Sequence, residues 1–435
     1  MLLLATYCLI VLTVSDASAS HDNRNLRNVP VSYEGAQVWR TTITNDAQMS
    51  LIRKLHDDRD ISLWRLTPDH GDFLIHATRK VDVNRRLSSQ PYNMNHTVLV
   101  LDVQHRLDSL ATPTPTWTGK TLKLGHRLDF TFYPELDVIN EYLSAISTQY
   151  KSLSEIQTIG YSVENRTIQM AVVSNKNPKN AAILIVAGVH AREWIGVTSA
   201  LYILDQLLND FDNHPVHVKN IDWYIIPVVN PDGYEYSHKK DRLWKKNRRK
   251  FPNCCGVDLN RNFGKYWSMN DATSKKQCRE NYAGTKEFSE PESSAVQSVI
   301  ETVKISAFVD IHAFGQELNY PWAATAERTP HGKVLHDVAK DMSKAILSKN
   351  GSTYKFGSGY RKINPTYGSA VDFMYSEGVH HAYAIETRDT GQYGFLLPPE
   401  QIVDTGKELV AAMCCVAKAL EPQPQFRSKA CHDWF

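Results

Sequence analysis

The sequence predicts an α/β protein: a mixed, mostly parallel sheet with helices on both faces, preceded by a small α+β domain. Three observations carry this prediction. Apolar runs that read as buried strands recur at Ala181 to Ala187, Ile221 to Val229 and Ile305 to Ile311. Strands covered on both faces read as continuous apolar runs. Stretches with helical periodicity separate these runs, the alternation expected of a sheet built from βαβ units. Polar residues stand at the ends of the runs, and α/β sheets gather their chemistry beyond the carboxyl ends of their strands.

Taken in order, the chain begins with an apolar run, Met1 to Val14, followed by Ala17-Ser-Ala19. This pattern predicts a signal peptide over residues 1–19, and hence a secreted protein. Residues 20–105 form the first unit. Val38 to Ile43, Ile61 to Leu66 and Val98 to Val103 read as strands, and Asp46 to Arg59 as a helix with Asp46 as its N-cap. Residues 106–127 read as a linker. Its Ala111-Thr-Pro-Thr-Pro-Thr116 core resists both helix and sheet, and Lys120, Lys123 and Arg127 offer basic cleavage points. From residue 128 the β/α pattern takes over. Helices are expected over 136–150, 196–209, 291–303, 332–349 and 399–420, with a fourth strand over His380 to Ile385. Asn230-Pro-Asp-Gly233 reads as a turn. Residues 423–435 form a tail.

The 435 residues allow two or three domains with ample core. Net charge is +2, which gives no electrostatic footprint for nucleic acid or a membrane surface. The cysteines outside the leader are Cys254, Cys255, Cys278, Cys414, Cys415 and Cys431, an even set suited to disulfides in an oxidising compartment. Asn95, Asn165 and Asn350 head glycosylation acceptor triplets.

The chemistry gathers at strand ends. The 181–187 run leads into His190 and Glu193, an imidazole and a carboxylate able to share one divalent ion, with zinc the best match. The 305–311 run delivers His312, and the 380–385 run delivers Glu386. A catalytic zinc wants three protein ligands and one open position. His190, Glu193 and His312 supply the three, which leaves Glu386 as a carboxylate able to act as general base on a water the metal has acidified. Asn260 and Arg261 together can grip a carboxylate, and a cation from the basic stretch Asp241 to Lys250 can steady an oxyanion.

His190-Ala-Arg-Glu193, Asn260-Arg261, His312 and Glu386-Thr-Arg-Asp-Thr-Gly-Gln-Tyr-Gly-Phe-Leu-Leu-Pro398 resemble the pancreatic-type zinc metallocarboxypeptidases, the carboxypeptidase A/B group, in their secreted zymogen form. The resemblance spans about residues 120 to 420. It implies a carboxypeptidase-like fold over residues 128–422, with residues 20–105 as an inhibitory activation domain released by a protease acting at the linker. It implies one zinc ion per chain on His190, Glu193 and His312, Glu386 as base, and cleavage of one residue from the C-termini of peptides or proteins by a monomer. Asn260 and Arg261 would hold the terminal carboxylate, and Arg192 would line the approach. Cys254 falls where the family pairs a cysteine with the counterpart of Cys278, and Cys255 beside it leaves that pairing open.

Two positions depart from the family pattern. An Arg that polarises the scissile carbonyl is replaced by Lys245, with Arg248 three positions on as a second cation. A substrate-contacting Tyr is replaced by Asn364. These departures give the alternative reading, a catalytically weakened relative that binds peptide C-termini. By the same resemblance the specificity pocket is floored by Val371 after Ala370 and lined by Asn319, Ala323 and Ala384. It carries no acid to pair with Lys or Arg, so apolar or aromatic terminal residues are expected.

Overall fold

A computed structural model of the protein describes residues 30–110, 127–269, 274–360 and 365–421. The expected leader, the Pro/Thr-rich core of the linker, the C-terminal tail and Asn364 lie outside the described residues.

The first unit is a four-stranded antiparallel sheet in the order β2-β3-β1-β4, with β1 Gln37–Thr42, β2 Ser62–Leu66, β3 His70–Ile75 and β4 His96–Val100. Helix Asp46–Asp57 covers it with Met49, Ile52 and Leu55 on its buried face. Its N-cap is Asn45, one residue before the expected Asp46: the Asn45 Oδ1 accepts from Gln48 N at 3.0 Å. Trp39, Phe73, Val83 and Leu87 complete a separate apolar core. The run read as a strand over 98–103 stops at Val100, and Val103 instead opens helix Val103–Leu110.

The second unit is an eight-stranded sheet in the order β11-β10-β12-β9-β7-β8-β6-β5. Its strands are β5 Ser154–Tyr161, β6 Thr167–Val173, β7 Ala181–Ala187, β8 Ile221–Ile226, β9 Ala307–His312, β10 Glu317–Tyr320, β11 Lys355–Ser358 and β12 His381–Glu386. The central run β8-β7-β9-β12 is parallel throughout. The antiparallel pairings bring in β6 and β5 on one side and β10 on the other. Helices cover both faces. The centre is dry: Ile183 to Ala187 and Ala307 to Val309 have no exposed surface. This is why β7 and β9 read as unbroken apolar runs.

β8 ends at Ile226, three residues short of the expected Val229. The reason is helical, not a turn. Asn230 caps helix Pro231–Lys239 through its Oδ1, which accepts from Gly233 N at 2.9 Å, and Pro231 opens the helix. Among the described residues no helix is long and apolar enough to cross a membrane.

Candidate metal centre and active-site cleft

β7 stops at Ala187 because Gly188 turns the chain with φ +64°. A Cβ there would meet Val197 Cγ2 at 3.0 Å and Pro227 O at 3.1 Å, so only glycine fits the turn. The turn delivers His190 to the end of the sheet. Glu193 sits at the N-cap of helix Trp194–Leu208, yet its carboxylate makes no cap bond. It reaches instead between two imidazoles: His190 Nδ1 lies 2.8 Å from Oε1, and His312 Nδ1 lies 2.9 Å from Oε2. His312 closes β9, the strand paired directly with β7, which leads into His190 and Glu193.

One ligand atom from each of His190, Glu193 and His312 lies within 4.8 Å of the other two, and all three residues are buried. Two neutral imidazoles and one carboxylate are a donor set that zinc accepts. The surroundings fix which nitrogen is available. His190 Nε2 lies 3.0 Å from Asp258 Oδ1, and His312 Nε2 lies 2.8 Å from Asp310 Oδ2 and 3.1 Å from Asn260 Nδ2. At His190 the Asp258 carboxylate against Nε2 favours the Nε2–H tautomer and leaves the Nδ1 lone pair facing Glu193. Burial opposes ionisation of Glu193, but the two imidazoles outweigh it and hold its carboxyl well below the usual carboxylate range. Burial likewise opposes ionisation of Asp258, and Lys245, His190 and Arg261 reverse it.

Around this centre lies a cavity of about 570 Å³, lined by His190, Arg192, Glu193, Lys245, Asn260, Arg261, His312 and Glu386 among others. Parallel pairing of β12 with β9 sets Glu386 beside His312. Asn260 and Arg261 sit on a single helical turn capped by Asp258, whose Oδ1 accepts from Asn260 N at 3.1 Å. Asn260 Oδ1 accepts from Ala370 N at 2.9 Å, and Arg261 Nη1 donates to Asn260 O at 2.9 Å. The Arg192 guanidinium lies 4.2 Å over the Phe395 ring and 3.7 Å from Glu280 Oε2. Val371 is buried in the first turn of helix Ala370–Ser376 and is not among the cavity-lining side chains. Asn364 lies outside the described residues.

The two departing cations have different fates. Lys245 lines the cavity, but its Nζ donates to Asp258 Oδ2 at 2.6 Å, so it leans on the carboxylate that steadies His190. Arg248 stacks 3.6 Å from the Tyr236 ring and 4.5 Å from the Trp244 ring, and it does not line the cavity. Cys254 and Cys278 are disulfide-bonded, which leaves Cys255 as a buried free thiol.

Sequence reasoning missed the opposite wall. Arg53, His56, Leu63, Trp64, Arg65 and Thr67 of the first unit line the same cavity. Trp64 packs edge-on against Phe314 and Phe395, at 6.3 and 5.1 Å between ring centroids. Arg65 Nη2 bonds Glu317 Oε1 at 2.6 Å. Arg40 joins Asp72 to Thr390 O, and Arg279 bonds Asp57 O. Only the Trp in the alternating stretch Ile61 to Leu66 hinted at such a contact face.

The zinc carboxypeptidase family model matches residues 139–412. Carboxypeptidase A4 of Mus musculus is 31% identical over 389 residues, covering 86% of this chain and 91% of that protein. The inactive metallocarboxypeptidase ECM14 of Saccharomyces cerevisiae is 33% identical over 406 residues, covering 88% and 91%. The crystal structure of thrombin activatable fibrinolysis inhibitor superimposes with a TM-score of 0.79 at 28% identity, covering 89% of this chain and 98% of that one. The chain thus belongs to the zinc carboxypeptidase family, hydrolases that act on peptide bonds.

Proposed function

We propose that this chain is a secreted zinc metallocarboxypeptidase made as a zymogen, in which residues 20–105 cover a C-terminal-directed peptidase domain over residues 128–422. The observation that carries this reading is the shared cavity: the wall facing His190, Glu193, His312 and Glu386 comes from the first unit. A peptide cannot enter a cleft closed in that way, so a protease acting in the 106–127 linker would activate the chain, and a monomer suffices.

His190, Glu193 and His312 would hold one zinc ion per chain. When bound, zinc supplies Lewis acidity toward the scissile carbonyl and the attacking water. Asp258 keeps the His190 imidazole oriented, and the Asp310 carboxylate stands 2.8 Å from His312 Nε2. Glu386 takes the proton of the attacking water on its carboxylate and passes it to the leaving amine. Arg261, in bidentate fashion, and Asn260 bind the terminal carboxylate. Arg192 steers the chain toward them. Lys245 offers a positive charge to the developing oxyanion. The terminal side chain enters an uncharged slot made by Asn319, Ala323, Ala384 and Val371, which favours apolar or aromatic residues.

A second reading, a peptide-binding relative with weak turnover, is favoured by the pairing of Lys245 with Asp258 and the stacking of Arg248. One experiment separates the two: metal analysis and peptide hydrolysis after limited proteolysis in the linker, with Glu386→Gln as control. The peptidase reading expects about one zinc per chain and turnover that the control lowers by about 10²–10⁴-fold. Bound zinc with no turnover of peptides ending in Phe, Leu, Lys or Arg would instead establish the binder. Faster cleavage of Lys or Arg ends would overturn the apolar slot.

A further inference from the structure

Glu317 is an acid that neither the metal centre nor the proposed mechanism uses. It opens β10 and lines the cavity. Antiparallel pairing sets it opposite Glu386 on β12, and Glu386 in turn stands opposite His312 on β9. Glu317 is therefore one strand from the proposed base and two from the metal centre. Its counter-charge comes from the other unit. Arg65, on β2, donates from Nη2 to Glu317 Oε1 at 2.6 Å, and the two side chains keep only 14% and 8% of their surface exposed. A Cβ placed on Gly315 would come within 3.4 Å of Arg65 Nη2 and 3.5 Å of Glu386 Cβ. The guanidinium of the covering unit thus pairs with Glu317 in the neighbourhood of the Glu386 backbone.

A buried carboxylate without a cation is costly. Arg65 supplies a cation to Glu317 from the covering unit, at the place a substrate's basic side chain would take once that unit is gone. After its removal Glu317 faces the space a peptide would fill. We propose that Glu317 is a specificity-determining residue that recognises a basic side chain on the substrate, and that Arg65 occupies this subsite in the uncut chain. The proposal rests on the peptidase reading above and names a substrate class for it. Register fixes which substrate residue is meant. Asn319, on the same face of β10, stands level with Ala384 in the slot proposed for the terminal side chain. Glu317 stands two residues nearer the cleft mouth, level with Glu386. The basic side chain therefore belongs to the penultimate residue, the one that contributes the scissile carbonyl.

The test uses protein cut in the linker and separated from the first unit. Values of kcat/KM at low salt are compared for blocked peptides ending in Lys-Phe, Leu-Phe, Phe-Lys and Phe-Leu. The expected result is a preference for Lys-Phe over Leu-Phe of about 10–100-fold that collapses in Glu317→Gln and survives in Glu317→Asp, which keeps the charge. An unchanged Lys-Phe to Leu-Phe ratio in Glu317→Gln would overturn the proposal, as would a charge preference confined to the terminal position. Calorimetric titration of the same peptides into the Glu386→Gln protein, with and without Glu317→Gln, gives a readout independent of turnover. If no peptide is hydrolysed the peptidase reading fails, and the titration still decides Glu317: Lys-Phe binding weakened about tenfold or more relative to Leu-Phe supports it, and equal weakening overturns it.

Discussion

Asp258 joins the metal centre to Lys245, and replacing it with Asn separates two effects. One oxygen of Asp258 stands 3.0 Å from His190 Nε2, the other 2.6 Å from Lys245 Nζ, and the carboxylate itself has no exposed surface. Asn keeps the shape and loses the charge. The first effect is on zinc. Losing a carboxylate behind a ligating imidazole typically costs about 10–100-fold in metal affinity. The second effect is on stability. Removing one partner of a buried ion pair costs about 3–5 kcal/mol, since the other charge stays buried. Lys245 keeps 14% of its side chain exposed and borders the cavity, which places the cost near the lower end, about 3 kcal/mol. Zinc affinity is read by competition with a chromogenic chelator, and stability by denaturant unfolding of the metal-free protein. The double variant Asp258→Asn with Lys245→Met discriminates further: it removes both charges, so it regains most of the lost stability while zinc binding stays weak. Zinc affinity within about twofold of wild type in Asp258→Asn, or a double variant as unstable as the single one, would refute the coupling.

Two further outcomes follow from buried groups away from the ligands. Glu292 is fully buried between Val163 N and Asn247 Nδ2, both at 3.0 Å, and burial together with Glu290 pushes its carboxyl up to about 7. A carboxyl raised on folding stabilises the protein below its unfolded pKa and loses that contribution as pH rises through the folded one. Stability is therefore expected to fall from about pH 4.5 to about pH 7, and Glu292→Gln to flatten that slope in urea melts; an unchanged slope would contradict the assignment. The Cys254–Cys278 bridge closes a segment that contains Asp258, Asn260 and Arg261. Cys278→Ser is expected to cost about 3 kcal/mol of unfolding free energy and to weaken zinc binding through Asp258, measured by the same chelator competition.

How much of this was legible in the sequence depended on burial. β7 ends where its apolar run ends because neighbours on both sides and helices on both faces leave no polar position within it. His190, Glu193, His312 and Glu386 were legible for the same reason: each stands where such a run stops. β5, β6, β10 and β11 were not. They lie toward the edges of the sheet, where half-buried or exposed positions break the apolar pattern and leave it short of both strand and helix periodicity. Asp258 was not legible as a site residue, because its role depends on folding across 68 positions to His190. Glu317 and Arg65 are further apart still, in separate units, and no local pattern links them.

Lys245 is where sequence and geometry together sharpen the question of activity. A lysine carries one compact charge on a flexible stem, and in this structure that charge is committed to Asp258. To approach a developing oxyanion it must leave a buried carboxylate that also steadies His190. An arginine at the same place has a planar fork with several donors, so one edge can hold Asp258 while another faces the cleft. Lys245→Arg is therefore expected to raise kcat with little change in zinc affinity, by up to about 10²-fold, the scale of one oxyanion donor. Lys245→Met is expected to lower kcat and to destabilise the protein by stranding Asp258. Single-turnover rates on one peptide, with zinc content measured in each variant, distinguish the cases. If Lys245→Arg and Lys245→Met lower the rate equally, the ammonium itself serves the reaction, and its contact with Asp258 must break when substrate binds.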